Sequence, residues 1–514
     1  QDDPADREAR QRLPPSSAGM KLIIESTAMS APDRTRAEAS YPALGQLVAG
    51  DLVVPIATQR MPVLDPATGR VLGELPLAGE AEIHRALEAA QQGFHMWKRM
   101  SAHQRAVILA SVATRMRADA ARLAMLVTLE LGKPYKEALA EVEQAAGMWE
   151  WAAEEGKRAY GRVIPGRDAY IQQMSLREPI GPIAGFSSWN APLITPSRKI
   201  AGALGAGCSI VLKGSEETPA TALALGEIAV AAGVPTGALS ILFAEPQFIS
   251  DRLLASPIIR GVTFTGSTAI GKRIAAQAMA QMKRPIMELG GHAPVLVFDD
   301  ADLDAVIPGA VAAKFRNSGQ VCISPTRFFV QKGIYARFCE QFSALAKAIV
   351  VGDGLAPTTT MGPLANPRRI AAIQKFVDDA RERRLAITCG GHALAGSGFF
   401  HEPTVVADVT TEAMVSNVEP FGPFAALSRF ETIEGALALA NRLPFGLASY
   451  VMTQRTSTAN RCAAEIEAGS VIVNSWRVSL AETPFGGHKD SGLSSEGGIE
   501  GLQAFQNVKY VSIS

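Results

Sequence analysis

Between Pro179 and Asp300 the chain alternates short apolar runs with helical stretches, and this rhythm constrains its fold more than any other feature. The runs IGPIAGF (180–186), SIVLK (209–213), LSILFA (239–244) and GVTFTG (261–266) are rich in β-branched residues and punctuated by glycine. Stretches with helical spacing lie between them, near 194–206, 218–232 and 247–256. Strands buried on both faces read as continuous apolar runs, and parallel strands need a crossover helix. The pattern therefore predicts βαβ units around a buried parallel sheet. A second series starts at PVLVFDD (294–300) and continues through FFVQ (328–331) and helices near 302–317, 334–350 and 366–383, which predicts a second α/β domain. Upstream, residues 81–160 are helical in pattern; in 106–127 apolar residues recur at three- and four-residue spacing. AYIQQMSL (169–176) reads as an extended strand, and the tail 501–514 ends in strand-like residues.

A chain of 514 residues is expected to form two or three domains. Fifty Lys+Arg balance fifty Asp+Glu, and zero formal net charge argues against a protein held to a phosphate backbone, so no nucleic-acid partner is expected. No window of 18 apolar residues lacks a charge, glycine or proline, so no membrane span is expected. Five scattered cysteines (Cys208, Cys322, Cys339, Cys389 and Cys462) are not a disulfide framework and point to a reducing, cytoplasmic home. Cys389 and His392 make half a metal site, with no second pair at zinc spacing, so no metal is expected. The first 20 residues are polar and proline-punctuated and carry no secretion signal. They read as a disordered leader, with alternative starts at Met20 and Met29, and the leader is drawn to residue 40.

Five short segments carry chemistry. GSTAIGK (266–272) follows a strand and opens a helix, where free N–H groups and the helix dipole suit a phosphate; a simple cap by Ser267 or Thr268 is the alternative. VLKGSEETP (211–219) places Lys213 and Glu216 at a strand's carboxyl end, where they suit ribose hydroxyls or a solvated turn. Cys322, in NSGQVCIS (317–324), has small polar neighbours, unlike Cys208 in its apolar run, and is the candidate thiol nucleophile. Glu288, in MELGGH (287–292), is flanked by Met, Leu and two glycines, which desolvate it and raise its pKa; it is a candidate base or a buried ion-pair partner. Asn190, in SSWNAPL (187–193), offers an amide for an oxyanion or marks a plain turn.

Together these segments resemble the aldehyde dehydrogenase superfamily from about Ala49 onward. The resemblance rests on GFSSWNAPL (185–193), VLKGSEETP (211–219), FTGSTAIG (264–271), MELGGH (287–292), GQVCISPTRF (319–328), EPFGP (419–423) and PFGGHKDSG (484–492), in family order. It implies a Rossmann-like parallel-sheet cofactor domain, a second α/β catalytic domain and a β oligomerisation arm. The cofactor domain is placed at 41–158 and 179–289, the catalytic domain at 290–498 and the arm at 159–178 and 499–514. Cys322 matches the nucleophile that forms a thiohemiacetal and then a thioester. Asn190 and the Cys322 backbone N–H match the oxyanion hole, and Glu288 the base that activates water. Lys213 and Glu216 match contacts to the adenosine ribose, Gly266 and Ser267 the pyrophosphate turn, and Glu419 and Phe421 the nicotinamide end. Trp189 and Leu289 join the cofactor-binding set. A free acid at Glu216 repels a 2′-phosphate, so NAD is expected ahead of NADP. Departures from the usual pattern are Ser188 before Trp-Asn, Ala269 after Gly-Ser-Thr, and His292 after Leu-Gly-Gly. Ser324, two after Cys322, precludes the vicinal disulfide switch of some relatives.

Arg198 in TPSRK (195–199) and Arg316, six before the nucleophile, match arginines that hold the distal carboxylate in succinate-semialdehyde dehydrogenases. SWRVSLAETPF (475–485) is expected to line the entrance with Arg477, Ser479 and Phe485. The expected substrate is a carboxylate-bearing semialdehyde such as succinate semialdehyde. Glutarate or α-ketoglutarate semialdehyde and uncharged aliphatic or aromatic aldehydes are the alternatives. A CoA-acylating enzyme fits less well because Glu288 is present, and a non-enzymatic scaffold fits less well because Cys322, Glu288 and Asn190 are all intact. The arm implies a homodimer or homotetramer.

Overall fold

The computed structural model describes residues 34–56 and 59–514. An eight-stranded sheet has the order Asp51–Val53, Gln46–Val48, Leu239–Leu242, Ile210–Lys213, Ile183–Phe186, Gly261–Thr265, Arg284–Glu288, Gly492–Leu493. Its five central strands are parallel, and antiparallel strands close both edges. The central runs are buried residue after residue, as the sequence rhythm requires. Helices Ile194–Ala206 and Pro219–Ala231 share one core with the long helix Tyr135–Gly156, while Glu80–Trp97 and Pro246–Ala255 pack on the opposite face.

A second, seven-stranded sheet has the order Ala386–Cys389, Thr404–Ala407, Phe424–Phe430, Pro325–Gln331, Ala293–Val297, Ala448–Met452, Ser470–Val473. It is parallel except at the Ala386–Cys389 edge. The stretch 290–498 does not stay with this sheet. At Gly492–Leu493 it returns to the first one, pairing Gly492 with Glu288, and so brings the chain's late residues beside that carboxylate. A third sheet stands apart: Gln506–Ile513 runs antiparallel to Gln172–Pro179, which also pairs with Arg162–Ile164.

Two expectations need correction. The strand expected at 169–176 lies at Gln172–Pro179, because Asp168 closes a turn first, accepting from the Tyr170 and Ile171 backbone N–H groups. The leader drawn to residue 40 reaches too far. Arg34–Ala39 is a helix with Ala37 buried near Leu129 and Leu355, and Arg34 is ion-paired to Asp65 and Asp353. Residues 1–33, with Met20 and Met29, lie outside the described residues. No helix among the described residues is long and apolar enough to cross a membrane.

Candidate active site

Strand order in the first sheet reverses at Ile183–Phe186, with Ile210–Lys213 on one side and Gly261–Thr265 on the other. In a parallel sheet such a reversal opens a crevice at the strands' carboxyl ends. The motifs follow those ends: Asn190 after the first strand, Lys213 closing the second, Gly266 and Ser267 after the third, Glu288 closing the fourth. A cavity of about 630 Å³ lies there, and every expected site residue lines it except Lys213, Glu216 and Arg477. Lys213 and Glu216 sit at the crevice's far side and pair with each other at 2.6 Å, so Glu216 is not the free acid expected. Arg477 is exposed and does not reach the cavity. Its neighbours turn inward instead, Trp476 against Tyr450 and Val478 toward Cys322.

The loop leading to Cys322 is held in an unusual backbone. Asn317, Ser318 and Gly319 have φ of +49°, +55° and +70°, a run that side chains rarely adopt. Hydrogen bonds fix it: the Asn317 amide donates to the carbonyls of Asn190 (2.9 Å) and Gln320 (3.2 Å), and Ser318 Oγ donates to Gly362 O at 2.7 Å. Gly319 is obligatory, since a Cβ there would sit 2.1 Å from Gly422 O. Asn190 Nδ2 donates to Gln320 O at 3.1 Å, so the amide and the thiol are tied through one loop. Ser188 Oγ donates to Asn190 Oδ1 at 2.7 Å, which turns the amide nitrogen toward that loop. Burial, then the carboxylates Glu419 and Glu288, push the Cys322 thiol up to about 12, against the pull of the Cys322 and Ile323 backbone N–H groups.

Glu288 is buried, and neither carboxyl oxygen has a hydrogen-bond partner. Burial raises its pKa well above the usual carboxylate range; Glu496 raises it further, while Lys199 and Arg198 oppose. The glycines after it have a purpose: a Cβ on Gly291 would meet Cys322 O at 2.6 Å, and one on Gly290 would crowd Glu419. At the cavity's other end, helix Thr268–Ala280 begins at Ser267, whose side chain makes no cap bond. Its first N–H groups and that hydroxyl suit a pyrophosphate. Burial pushes the Glu419 carboxyl up to about 8, against the Gly291 N–H and the cations Arg369 and Lys314. Trp189 meets Phe421 edge-on at 5.6 Å. This set of donors, acid and aromatic rings fits a dinucleotide.

Arg198 is buried, with Nη2 donating to Ser479 Oγ at 2.7 Å and the guanidinium 4.7 Å from the Phe485 ring centre. Its Nη1 has no hydrogen-bond partner. Arg316 lines the same cavity and forms no ion pair among the described residues.

Residues 54–511 match the aldehyde dehydrogenase family. The chain belongs to that family. This aldehyde dehydrogenase is 43% identical to a 4-(hydroxymethyl)benzenesulfonate dehydrogenase of Comamonas testosteroni, over 88% of this chain and 94% of that one. It is 41% identical to the NADP-dependent succinate-semialdehyde dehydrogenase of Escherichia coli, again over 88% and 94%. Among solved structures, a succinate-semialdehyde dehydrogenase of Burkholderia pseudomallei superposes with a TM-score of 0.90 at 39% identity, covering 94% of this chain and 99% of that chain. The enzyme is thus an NAD(P)-dependent oxidoreductase of α/β fold.

Several residues of this aldehyde dehydrogenase's site escaped the sequence reading. Lys199 and Glu496 form a buried pair at 2.6 Å close to Glu288, yet they lie 297 residues apart and carry no motif. Arg369 donates to the carbonyls of Pro420 and Phe421 and lies 5.7 Å from the Phe421 ring, holding Phe421 at φ +46°. Glu141 accepts from the N–H groups of Leu193 and Ile194 and so fixes the start of the helix that carries Arg198. Asn317, in the loop before Cys322, and Lys199, next to Arg198, lay inside segments with a local signal, but neither pointed to its partner.

Proposed function

We propose that this enzyme oxidises an aldehyde bearing a distal carboxylate, of the succinate-semialdehyde class, to the acid. The observation that carries the reading is the state of Arg198: a buried guanidinium whose Nη1 lacks a partner, in the cavity that also holds Cys322, Asn190 and Glu288. A buried cation that forms no ion pair among the described residues is costly, although Glu496 and Glu288 lie close enough to favour its charge, and a substrate carboxylate would supply a direct partner. Arg316, also without an ion pair, faces the same space and supports the reading. So does the semialdehyde named for the E. coli relative.

The chemistry assigned to the chain is as follows. Cys322 Sγ gives its proton to solvent water and bonds to the aldehyde carbon, and the C=O pair moves to oxygen, giving the thiohemiacetal oxyanion. Asn190 Nδ2 and the Cys322 N–H stabilise the resulting oxyanion. A nicotinamide dinucleotide held in this cavity would supply the hydride acceptor, so that loss of hydride from this carbon would leave a thioester on Cys322. Glu288 takes a proton from water as the water oxygen bonds to the thioester carbon, and the Cys322 thiolate departs. Lys213 and Glu216 would hold the adenosine ribose, Gly266 and Ser267 the pyrophosphate, and Glu419 the second ribose, with Trp189, Leu289 and Phe421 packed along the dinucleotide. NAD remains the expected acceptor. Lys213 neutralises part of the Glu216 charge, so the discrimination against NADP is expected to be modest.

Residues 41–158 with 179–289 are read as the cofactor domain and 290–498 as the catalytic domain, a reading supported by the separate strand orders of the two large sheets. The third sheet is read as an arm joining a homodimer or homotetramer. Exposed Val163, Val508, Tyr510 and Ile513 on its strands support this. Five free cysteines support a cytoplasmic home.

A second reading is favoured by the Comamonas relative: an aromatic aldehyde carrying a sulfonate, which would also suit two arginines beside Phe485 and Trp189. A steady-state panel decides. Succinate semialdehyde, glutarate semialdehyde, 4-formylbenzenesulfonate and butanal are compared with NAD and with NADP. The proposal requires the highest kcat/KM for a carboxylate semialdehyde; a preference for butanal would overturn it.

A further inference from the structure

Gln144 lies on the helix Tyr135–Gly156, remote in sequence from every motif, and its side chain lines the cavity. Its Nε2 donates to the backbone carbonyl of Ser479 at 2.8 Å. Ser479 has φ of +73°, the left-handed region that favours glycine, so a serine persists there only if its surroundings hold it. The same Ser479 accepts the Arg198 Nη2 proton through Oγ at 2.7 Å. Among the described residues Arg198 has no carboxylate partner within ion-pair distance, and its Nη1 is left without a hydrogen bond. Backbone anchor, strained serine and guanidinium thus form one chain of contacts, Gln144 to Ser479 to Arg198, running from a rigid helix to the group that faces the substrate.

We propose that Gln144 is the positioning residue for recognition of the substrate's distal carboxylate. By holding the Ser479 carbonyl it keeps Ser479 Oγ in place as the acceptor for Nη2. That bond fixes the guanidinium plane at the cavity wall. A side chain of this length that is neutral and able to donate is what the position needs. Glutamate would present only acceptors to a carbonyl oxygen and would set a negative charge close to both Arg198 and the incoming carboxylate. Methionine would fill the same space without a donor. This inference rests on the reading that Arg198 binds the substrate's acid group.

The test compares Gln144→Met, Gln144→Glu and Arg198→Met in the full-length enzyme, with succinate semialdehyde and butanal as substrates. Turnover of butanal reports that each variant is folded. For Gln144→Met the expected result is a rise in KM for succinate semialdehyde at least five times the change for butanal, with kcat for succinate semialdehyde falling much less than KM rises. Gln144→Glu should show a larger rise, one that grows with pH between 5 and 7 as the new carboxyl ionises. Equal changes for both aldehydes in the Gln144 variants, with selectivity lost only in Arg198→Met, would overturn the role of Gln144 and leave the clamp standing. Equal changes in all three variants would overturn the clamp and the proposal together.

Discussion

Lys199 Nζ lies 2.6 Å from Glu496 Oε1, and both side chains are shut off from solvent. Thr263 Oγ1 completes the cluster, donating to Glu496 at 2.8 Å and accepting from Lys199 at 3.1 Å. The two charges act on Glu288 in opposite senses, Glu496 tightening its hold on a proton and Lys199 loosening it. The pair therefore tunes a Glu288 carboxyl whose pKa is raised first by burial, and with it the pH at which Glu288 would act as the proposed base. Lys199→Met removes the cation and leaves Glu496 unpaired. The limb of the pH–kcat profile that rises with Glu288 ionisation should move to higher pH by about 1–3 units, the usual reach of one nearby charge. An unmoved limb would show that the pair does not govern Glu288. Thermal unfolding is followed alongside, since breaking a buried pair costs about 3–5 kcal/mol.

Glu288→Gln separates the two halves of the reaction. In the proposed chemistry, thiohemiacetal formation and hydride loss do not need this carboxylate, whereas thioester hydrolysis does. A stopped-flow burst of NADH should survive while steady-state turnover falls by about 10²–10⁴-fold. Loss of the burst together with turnover would place Glu288 before the thioester. The same variant has a stability signature. The folded carboxyl holds its proton above the unfolded value of about 4.3, so the native state binds the extra proton in that window. Native stability is then lost as pH rises from about 4.3 toward the raised folded pKa. Denaturant unfolding of the glutamine variant should lack this decline.

Cys322 should alkylate slowly in the enzyme without cofactor. With the thiol pushed up to about 12, the thiolate fraction, and with it the iodoacetamide rate read by mass shift, should climb about tenfold per pH unit from 7 to 10. A rate already flat at pH 8 would mean a thiolate formed at rest. Cys322→Ala should abolish both the mass shift at this site and NADH production.

How much of this was legible in the sequence depended on the distance between partners. The parallel strands were, because burial on both faces writes itself into runs such as IVLK at Ile210–Lys213. Cys322, Asn190 and Glu288 were, because each follows a strand end or sits in a short loop with its own composition. The Lys199–Glu496 pair was not, because its meaning arises only when Gly492–Leu493 folds back beside Arg284–Glu288. Arg477 was misplaced for a related reason: a loop's sequence does not say which of Trp476, Arg477 and Val478 turns inward, and packing against Tyr450 and the Cys322 cluster decided it. The charge at Glu216 was read as free because its partner, Lys213, was credited to the ribose instead.

Arg316 provides the sharpest check on substrate class. It lines the cavity six residues before Cys322, it has no ion pair among the described residues, and Arg198 lines the same cavity. Arg316 favours the charged form of Glu137, a part-buried carboxyl that already accepts from the Asn317 N–H at 3.0 Å. Arg316 is therefore not consumed by a protein counterion, and its removal should leave the loop intact. A hydrogen bond to a charged group contributes about 1.5–3 kcal/mol, or roughly 10- to 150-fold in affinity. Arg316→Ala should raise KM for succinate semialdehyde by about that factor and KM for propanal far less, measured side by side with saturating NAD. Equal effects on the two aldehydes would remove Arg316 from carboxylate recognition and leave Arg198 to act alone.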